Sequence, residues 1–546
     1  MFIEPVFGKK FFGREEILGT LHKRVTALKG GYRQNIALTG PMLAGKSSIL
    51  RHFLNNVKDQ DIMPIYIELD GEDFRVFCDR FIATLLYRYL KAMAFKVDGD
   101  VKALAEEAKK TIPVTIEHID TIYADLGAKR TDNAYEALLN LTSVFKAETG
   151  KNCIVILDEF QNMSHFKLKR PFQVFGRYIM TQKNTMYIVS SSQKTLLKEI
   201  LSRKLSLLFG NFEVIEVGGF DDQTARSFIL DKVQETQIAD DIRNYLIQVT
   251  GGNPFYLETL SKRFEEHYRK KKDEVRAKEC FLDAFADLLY ESSGVLNQYF
   301  TNNINFFIEK KTRKKFLPLL LSLASGNSTA KAIHKDLGRM DGDLGKKLQK
   351  LIEMDLVFNS GVFYKLSDKL FEFWLKYVYM LKTRSMIDDM DIKYIEFKKA
   401  VGDEFTRYQE FRSKGHIGAM RELLDRFSNE KVKFNLNCRI MPGLSKVHVG
   451  ALDATGNVHE MVGETATAKW IYRAKLLDKV DEQDVLDLMA VKMCKNSRKP
   501  VKKVLITLKG IEQNAFLLAK EHNIWIWDIA QLNHIMRLYN MFEIVI

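Results

Sequence analysis

The chain has 546 residues, 46% apolar and 28% charged, which is too long for one hydrophobic core and ordinary for a globular protein; three or four domains are expected. Its formal net charge of +13 favours polyanionic partners without choosing one, and fits a lysine-rich solvated surface equally well. Five isolated cysteines (Cys78, Cys153, Cys280, Cys438 and Cys494), with no C-x-x-C pair or histidine cluster, exclude a zinc finger or a disulfide framework and point to a reducing compartment. The opening MFIEPVFGKKFFGREE lacks the apolar centre of a signal peptide, and the longest apolar run, residues 316–324, is too short for a bilayer. A soluble, cytoplasmic protein with no membrane partner is expected.

Residues 35–39 (NIALT) read as a short buried strand, followed by GPMLAGKS and then SILRHFLNNV with apolar residues at helical spacing. Strand, Gly-containing loop and helix form the context in which G-x-x-x-x-G-K-[ST] cradles phosphate. Gly40, Pro41, Met42, Leu43, Ala44, Gly45, Lys46 and Ser47 fill that pattern without a departure, and Ser48 follows in the same helical turn. Glycines let backbone N–H groups curl around the β-phosphate, and the helix starting at Lys46 aims its positive end there. Lys46 then reaches the β and γ oxygens, and Ser47 ligates Mg2+. A plain Gly-rich turn is the bland alternative, and the context disfavours it.

Residues 153–157 (CIVIL), five apolar residues without alternation, suit a parallel strand covered on both faces, and Asp158 and Glu159 follow at its end. Asp158 is placed to hold Mg2+, and Glu159 to polarise the attacking water beside Lys46. Further strands are expected at 64–69 (PIYIEL), 186–192 (MYIVSSS) and 212–217 (FEVIEV), with a helical stretch from 74 to about 147. Five strands interleaved with helices make a mostly parallel α/β sheet. Residues 190–193 fall where a γ-phosphate sensor belongs, although serine runs also cap helices.

With these motifs in place, the chain is similar to the archaeal-type ATPases in the STAND branch of the AAA-like P-loop proteins. The family's entry motif F-x-G-R-x-x-E-L is approximated by Phe11, Gly13, Arg14, Glu16 and Leu18; the acid strand continues as Asp158-Glu159-Phe160-Gln161; and a helical lid carries Gly252-Asn253-Pro254. The resemblance implies ATP with Mg2+, Pro254 against the adenine, and Phe12, Gly13 and Arg14 lining its other side. Relatives commonly carry a glycine–arginine pair before the fifth strand, where this chain reads Phe209-Gly210-Asn211-Phe212; Arg203 stands nearby in sequence as a candidate substitute, and a solvated helix-face residue is the favoured reading of it. Losing a cation near the γ-phosphate weakens hydrolysis more than binding, so ATP binding with slow turnover is expected.

Three helices, at 314–324, 329–337 and 341–354, precede two short strands around an Asn-Ser-Gly turn in residues 357–366, which reads as a winged helix. Leu344, Leu348, Leu351 and Ile352 form a stripe facing a core. Lys346, Lys347 and Lys350 lie off it, where they suit either DNA phosphates or a solvated face.

After Tyr394 come helices at about 395–411 and 417–427, then strands, then a closing α/β unit at 501–508, 514–522 and 524–527. This resembles the restriction-endonuclease-like fold of the PD-(D/E)xK superfamily, which relatives often carry at the C-terminus. That chemistry needs carboxylates converging on a divalent cation plus an orienting lysine. The strand at 446–452 (KVHVGAL) offers His448 and no acid until Asp453, and the strand ending WIYRAK offers Arg473 and Lys475 where Glu-x-Lys is expected. A guanidinium cannot ligate a cation and repels it. Glu404, Glu410, Asp453, Glu460 and Glu464 are the scattered carboxylates left. Arg473 and Lys475 are expected to meet an anion or an internal carboxylate, with the metal chemistry lost.

The expected organisation is a P-loop ATPase domain (1–220), a helical lid (221–305), a winged helix (306–392) and a restriction-endonuclease-like domain (393–546) without nuclease activity. The expected function is a nucleotide-dependent conformational switch, with DNA as candidate partner of the winged helix and a protein as candidate partner of the C-terminal domain. An ATP-gated, metal-dependent DNA nuclease and a nucleotide-loaded scaffold with negligible turnover are the alternatives.

Overall fold

Five apolar runs in the first part of the chain form strands β1 (Asn35–Thr39), β2 (Ile62–Glu68), β3 (Asn152–Asp158), β4 (Thr185–Ser191) and β5 (Phe212–Glu216). The computed structural model of the protein describes residues 4–95, 100–205, 212–233, 238–271, 277–308, 312–338, 343–384, 389–434, 437–491 and 499–546. The chain divides into two units, one of Met1–Phe220 with Asn253–Phe255, the other of Asp221–Gly252 with Tyr256–Ile546. In the first unit all five strands pair in parallel, in the order β2-β3-β4-β1-β5.

Successive strand residues point to opposite faces, and here both faces are covered. Ile36, Leu38, Ile154, Ile156 and Ile188 pack with residues of helices Glu15–Lys29 and Lys46–Asn56. Ala37, Ile65, Val155, Leu157 and Val189 face the other way, into the core shared with helices Phe74–Ala92, Thr131–Thr149 and Pro171–Thr181. Each fully buried aliphatic side chain of this kind contributes about 1.5–3 kcal/mol. The helical stretch expected over 74–147 is four helices, Phe74–Ala92, Val101–Ala108, Pro113–Gly127 and Thr131–Thr149. Local devices set the breaks: the Asp100 carboxylate caps the amides of Lys102 and Ala103, and Pro113 opens the third helix.

In the second unit, helices Arg313–Ala324, Ala330–Leu337 and Leu344–Glu353 precede a hairpin of β6 (Val357–Ser360) and β7 (Phe363–Leu366). Leu348 and Leu351 of the third helix are buried, while Lys346 and Lys350 are exposed; the expected start at Asp341 lies outside the described residues. The hairpin turn falls later than expected. Asn359 pairs with Tyr364 and Ser360 with Phe363, so Gly361 and Val362 form the loop, with Gly361 supplying its positive φ of 69°. The Gly361 Cα side is closed by the Lys431 carbonyl oxygen, which an added Cβ would overlap. Lys431 begins β8 (Lys431–Phe434), which pairs with β9 (Asn437–Ile440) in a hairpin absent from the sequence-based expectation.

A second sheet runs in chain order through β10 (Ser445–Ala451), β11 (Val458–Glu464), β12 (Lys469–Lys475), β13 (Val501–Thr507) and β14 (Trp525–Trp527). Its first two pairings are antiparallel and its last two parallel. The core of β12 is buried from both sides: Tyr472 and Ala474 join the core that includes helices Gly415–Asp425 and Ile529–Leu538, and Ile471 joins helices Glu482–Ala490 and Gln513–Glu521. No described helix is long and apolar enough to cross a membrane.

Candidate nucleotide-binding site

β1 runs straight into the glycine-containing loop. Gly40 donates its N–H to the Ser191 carbonyl at 3.4 Å, and a Cβ there would overlap the Val217 carbonyl oxygen, so only glycine lets the chain leave the sheet. Leu43 (φ 63°) and Gly45 (φ 93°) then turn the backbone into helix Lys46–Asn56, whose first amides have no partner within the helix. Pro41 and Met42 stand exposed at the loop's crest, Ala44 is buried, and Ser47 is half-buried. Lys46 is 5% exposed, and its Nζ donates to the carbonyls of Gly40 (2.9 Å) and Pro41 (3.0 Å). Burial lowers the Lys46 pKa, and the charges of the Glu159 and Asp158 carboxylates oppose that.

Asp158, at the end of β3, is completely buried. Its Oδ2 accepts from the Tyr66 hydroxyl of β2 at 2.7 Å; its Oδ1 accepts from the Glu159 amide at 3.1 Å and from the Ser190 hydroxyl of β4. Burial and the Asp158 charge hold the Tyr66 phenol protonated far above its ordinary range, so it remains a donor. Asp158 and the Ser47 hydroxyl are oxygen ligands of the kind a hard cation such as Mg2+ takes.

Glu159 leaves the strand with a φ of 52°, a conformation that costs a non-glycine residue roughly 1–2 kcal/mol. Three donors converge on its Oε2: Ser192 Oγ at 2.7 Å, Ser192 N at 3.1 Å and Gln161 Nε2 at 2.7 Å. The polar end of β4 is therefore divided. Ser190 serves Asp158, Ser191 accepts the Gln193 amide at 3.0 Å, and Ser192 serves Glu159.

The segment before the first helix lies along Lys46–Asn56: Val6 donates its N–H to Ser48 Oγ at 3.0 Å, and Phe11 stacks on His52 with ring centroids 4.0 Å apart. Gly13 and Arg14 turn it with positive φ. The Arg14 guanidinium donates to the carbonyls of Ala44 (3.2 Å), Gly218 (2.6 Å) and Gly219 (3.3 Å) and lies 4.7 Å from the Phe220 ring centroid, where Phe12 also arrives edge-on at 6.2 Å. The Pro254 ring lies 3.9 Å from the place a Gly45 Cβ would take. Arg14 and Pro254 thus stand beside the phosphate loop, and Phe12 and Gly13 precede Arg14 in the same segment.

Tyr66 and Gln161 had no role in the sequence reading. A tyrosine inside an otherwise apolar strand is the signal that could have found the first; Gln161 offers only its spacing from Glu159. Residues 209–211, where relatives carry the arginine, lie outside the described residues, as does Cys494. Arg203 is exposed and faces Glu199 at 4.0 Å.

The C-terminal charges find internal partners. Arg473 is buried, and its Nη2 donates to Oε2 of Glu460, the residue directly opposite on β11, at 3.0 Å. Lys475 donates to Asp484 Oδ2 at 2.6 Å, at the capping box of helix Glu482–Ala490. Asp453 holds its own turn together, accepting from Thr455 Oγ1 (2.6 Å), Val458 N (3.0 Å) and Asn457 N (3.3 Å). Glu404 accepts from the Tyr377 hydroxyl at 2.6 Å, Glu464 faces Lys499 at 3.3 Å, and Glu410 lies on helix Met390–Ser413. Among the described residues no three histidines, cysteines or carboxylates converge as a metal site.

Residues 11–260 match the family model described as an ATPase domain predominantly from Archaea. This segment is an archaeal-type ATPase domain. The chain is similar to two uncharacterized ATP-binding proteins of Methanocaldococcus jannaschii. One, MJ0147, is 22% identical over 281 residues, 49% of this chain and 73% of that protein. The other, MJ1659, is 24% identical over 323 residues, 56% of this chain and 85% of that protein. Among solved structures, the Walker-type ATPase paby2304 of Pyrococcus abyssi is 18% identical with a TM-score of 0.48, covering 68% of this chain and 97% of that one. The archaeal-type ATPase domain contains the phosphate loop, both acids of β3, the Arg14 segment and Pro254.

Proposed function

We propose that the chain is an ATP-hydrolysing conformational switch of the STAND type, with residues 40–48 holding the phosphates and Phe12, Gly13, Arg14 and Pro254 flanking the base. The observation that carries this reading is the buried Lys46 ammonium, held by the Gly40 and Pro41 carbonyls inside a loop that fills G-x-x-x-x-G-K-S, with the Glu159 and Asp158 carboxylates acting on its charge. Water attacks the γ-phosphorus as the bond to the β,γ-bridging oxygen breaks, Glu159 accepts the water's proton, and Lys46 and the loop amides balance charge on the departing ADP. The three donors on Oε2 of Glu159 leave Oε1 free to take that proton. When bound by Ser47 and Asp158, Mg2+ supplies further neutralisation of the phosphate oxygens.

In this reading the sheet domain, a lid (221–305) and a winged helix (306–392) take one arrangement with ATP and another after hydrolysis, through different nucleotide affinities of the two. Turnover is slow. The region 393–546 reads or transmits the state to a protein partner on a restriction-endonuclease-like frame; the pairing of Arg473 with Glu460 and of Lys475 with Asp484 supports loss of nuclease chemistry there. DNA is the second candidate partner, through Lys346, Lys347 and Lys350, of which Lys346 and Lys350 are exposed and Lys350 pairs with Glu353 at 3.1 Å. Its test is an affinity that falls steeply with salt and drops when Lys346, Lys347 and Lys350 are replaced.

Phosphate release by the purified protein tests the main reading. Wild type is expected to turn over ATP, Glu159→Gln to bind nucleotide without hydrolysing it, and Lys46→Ala to lose both. Wild-type release no faster than Lys46→Ala overturns the switch in favour of a nucleotide-loaded scaffold. Metal-dependent DNA cleavage lost in Asp453→Ala overturns the loss of nuclease chemistry.

A further inference from the structure

The second unit holds a polar cavity of about 430 Å³, lined by residues from helix Asp240–Thr250, from β7 and helix Lys369–Trp374, and from residues 537–543. None of the residues proposed for nucleotide binding lines it. Three of its cations have carboxylate partners: Lys369 with Glu543 at 2.7 Å, Arg407 with Glu404, and Arg537 with Glu372 at 4.0 Å. Two do not. Lys376 lies with its Nζ 4.6 Å from the Tyr377 ring centroid. Lys365 is 2% exposed, and its Nζ donates to the side-chain oxygen of Asn540, a neutral acceptor. The lining therefore carries five cations against three carboxylates, an excess of two positive charges.

Water is largely kept from Lys365, and a desolvated ammonium bonded to a neutral amide lowers stability. Burial brings its pKa down to about 8; Arg537 and Lys376 push the same way, and Glu372 opposes them. Lys365 is nevertheless protonated at neutral pH, and an unmatched buried cation in a cavity is the sort of feature that marks a binding site. A dianion of tetrahedral oxygens supplies both the missing charge and several acceptors at once.

We infer that this cavity binds a small doubly charged oxyanion of the phosphate class, either inorganic phosphate or a small phosphate monoester, with Lys365 as its inner ligand and Lys376 as its outer one. The Gln248 side chain, which accepts the Glu543 amide at 3.1 Å, places the C-terminal part of helix Asp240–Thr250 on the cavity wall. The inference stands independently of the nucleotide reading.

Calorimetric titration of the full-length Lys46→Ala protein with inorganic phosphate and with glycerol 3-phosphate tests it, since that background disables the phosphate loop. At ionic strength held constant with sodium chloride, saturable one-to-one uptake is expected, weakened at least tenfold by Lys365→Met and severalfold by Lys376→Gln. Tighter binding of glycerol 3-phosphate identifies an ester ligand, and tighter binding of inorganic phosphate identifies the free anion. No saturable uptake of either probe, or affinities unchanged in both lysine variants, overturns the site. Should Lys365→Met fail to fold by circular dichroism, Lys376→Gln decides alone, and an unchanged affinity there overturns it.

Discussion

Ser192 donates twice to one oxygen of Glu159, from its amide at 3.1 Å and from its hydroxyl at 2.7 Å. With Gln161 as third donor, the pair fixes a carboxylate whose own backbone sits in the left-handed region. Ser192→Ala removes one of the three and loosens the group proposed to take the proton. A fall in kcat of about tenfold, equivalent to about 1.4 kcal/mol, is expected with the Kd for ATP within about twofold of wild type. Steady-state phosphate release paired with equilibrium nucleotide titration reads both, and an unchanged kcat would detach Ser192 from the reaction.

Tyr66→Phe keeps the ring on β2 and removes the phenol from the buried Asp158. Hydrogen bonds to charged groups contribute about 1.5–3 kcal/mol, so urea midpoints should drop accordingly without a change in slope.

Gly40→Ala forces a methyl group into the Val217 carbonyl, where backbone and not a yielding side chain stands. Loss of at least tenfold in ATP affinity and a melting temperature lower by several degrees are expected. Gly218→Ala, with open space around its Cβ, is the control and should melt like wild type.

Lys365 carries a pH signature. Its pKa is about 8 in the folded chain against an ordinary 10.5, so between those values the unfolded chain holds the extra proton and stability rises with pH. Below about 8 the full cost of the buried charge is present, and it disappears as pH climbs toward 10.5. Lys365→Met should therefore flatten this part of the stability profile and gain up to about 3 kcal/mol at neutral pH. Denaturant titrations of both proteins across pH 7 to 10.5 check it; parallel profiles would remove Lys365 from the account.

Arg473→Met leaves Glu460 without its partner across β11 and β12, at an expected cost of about 3 kcal/mol. Adding Glu460→Leu should recover most of it, because the attraction between buried ions does little more than offset their desolvation. Chemical denaturation of the two single variants and the double variant gives the coupling energy.

The first sheet was legible because its inner strands β1, β3 and β4 are buried, mostly apolar runs, two of them ending in motifs with fixed chemistry: Gly40 to Ser47 after β1, Asp158 and Glu159 after β3. Partners that come from other strands were not. Tyr66 reaches Asp158 only because β2 lies beside β3, and Ser192 reaches Glu159 only because β4 lies on its other side. Charge logic at Arg473 left an anion and an internal carboxylate open, and the register that sets Glu460 opposite Arg473 selects the second. Helix Glu482–Ala490 escaped notice because its start is written in the capping pair Asp481 and Asp484, not in a strong apolar stripe. The hairpin turn moved because Gly361 is the residue whose backbone accepts the positive φ.

The tip of that hairpin also limits what it can touch. Val362 donates its amide to the Lys431 carbonyl at 2.9 Å and Ser360 its hydroxyl to the Lys433 carbonyl at 2.8 Å, so the loop is riveted to β8 and can swing outward only if both of those bonds let go together.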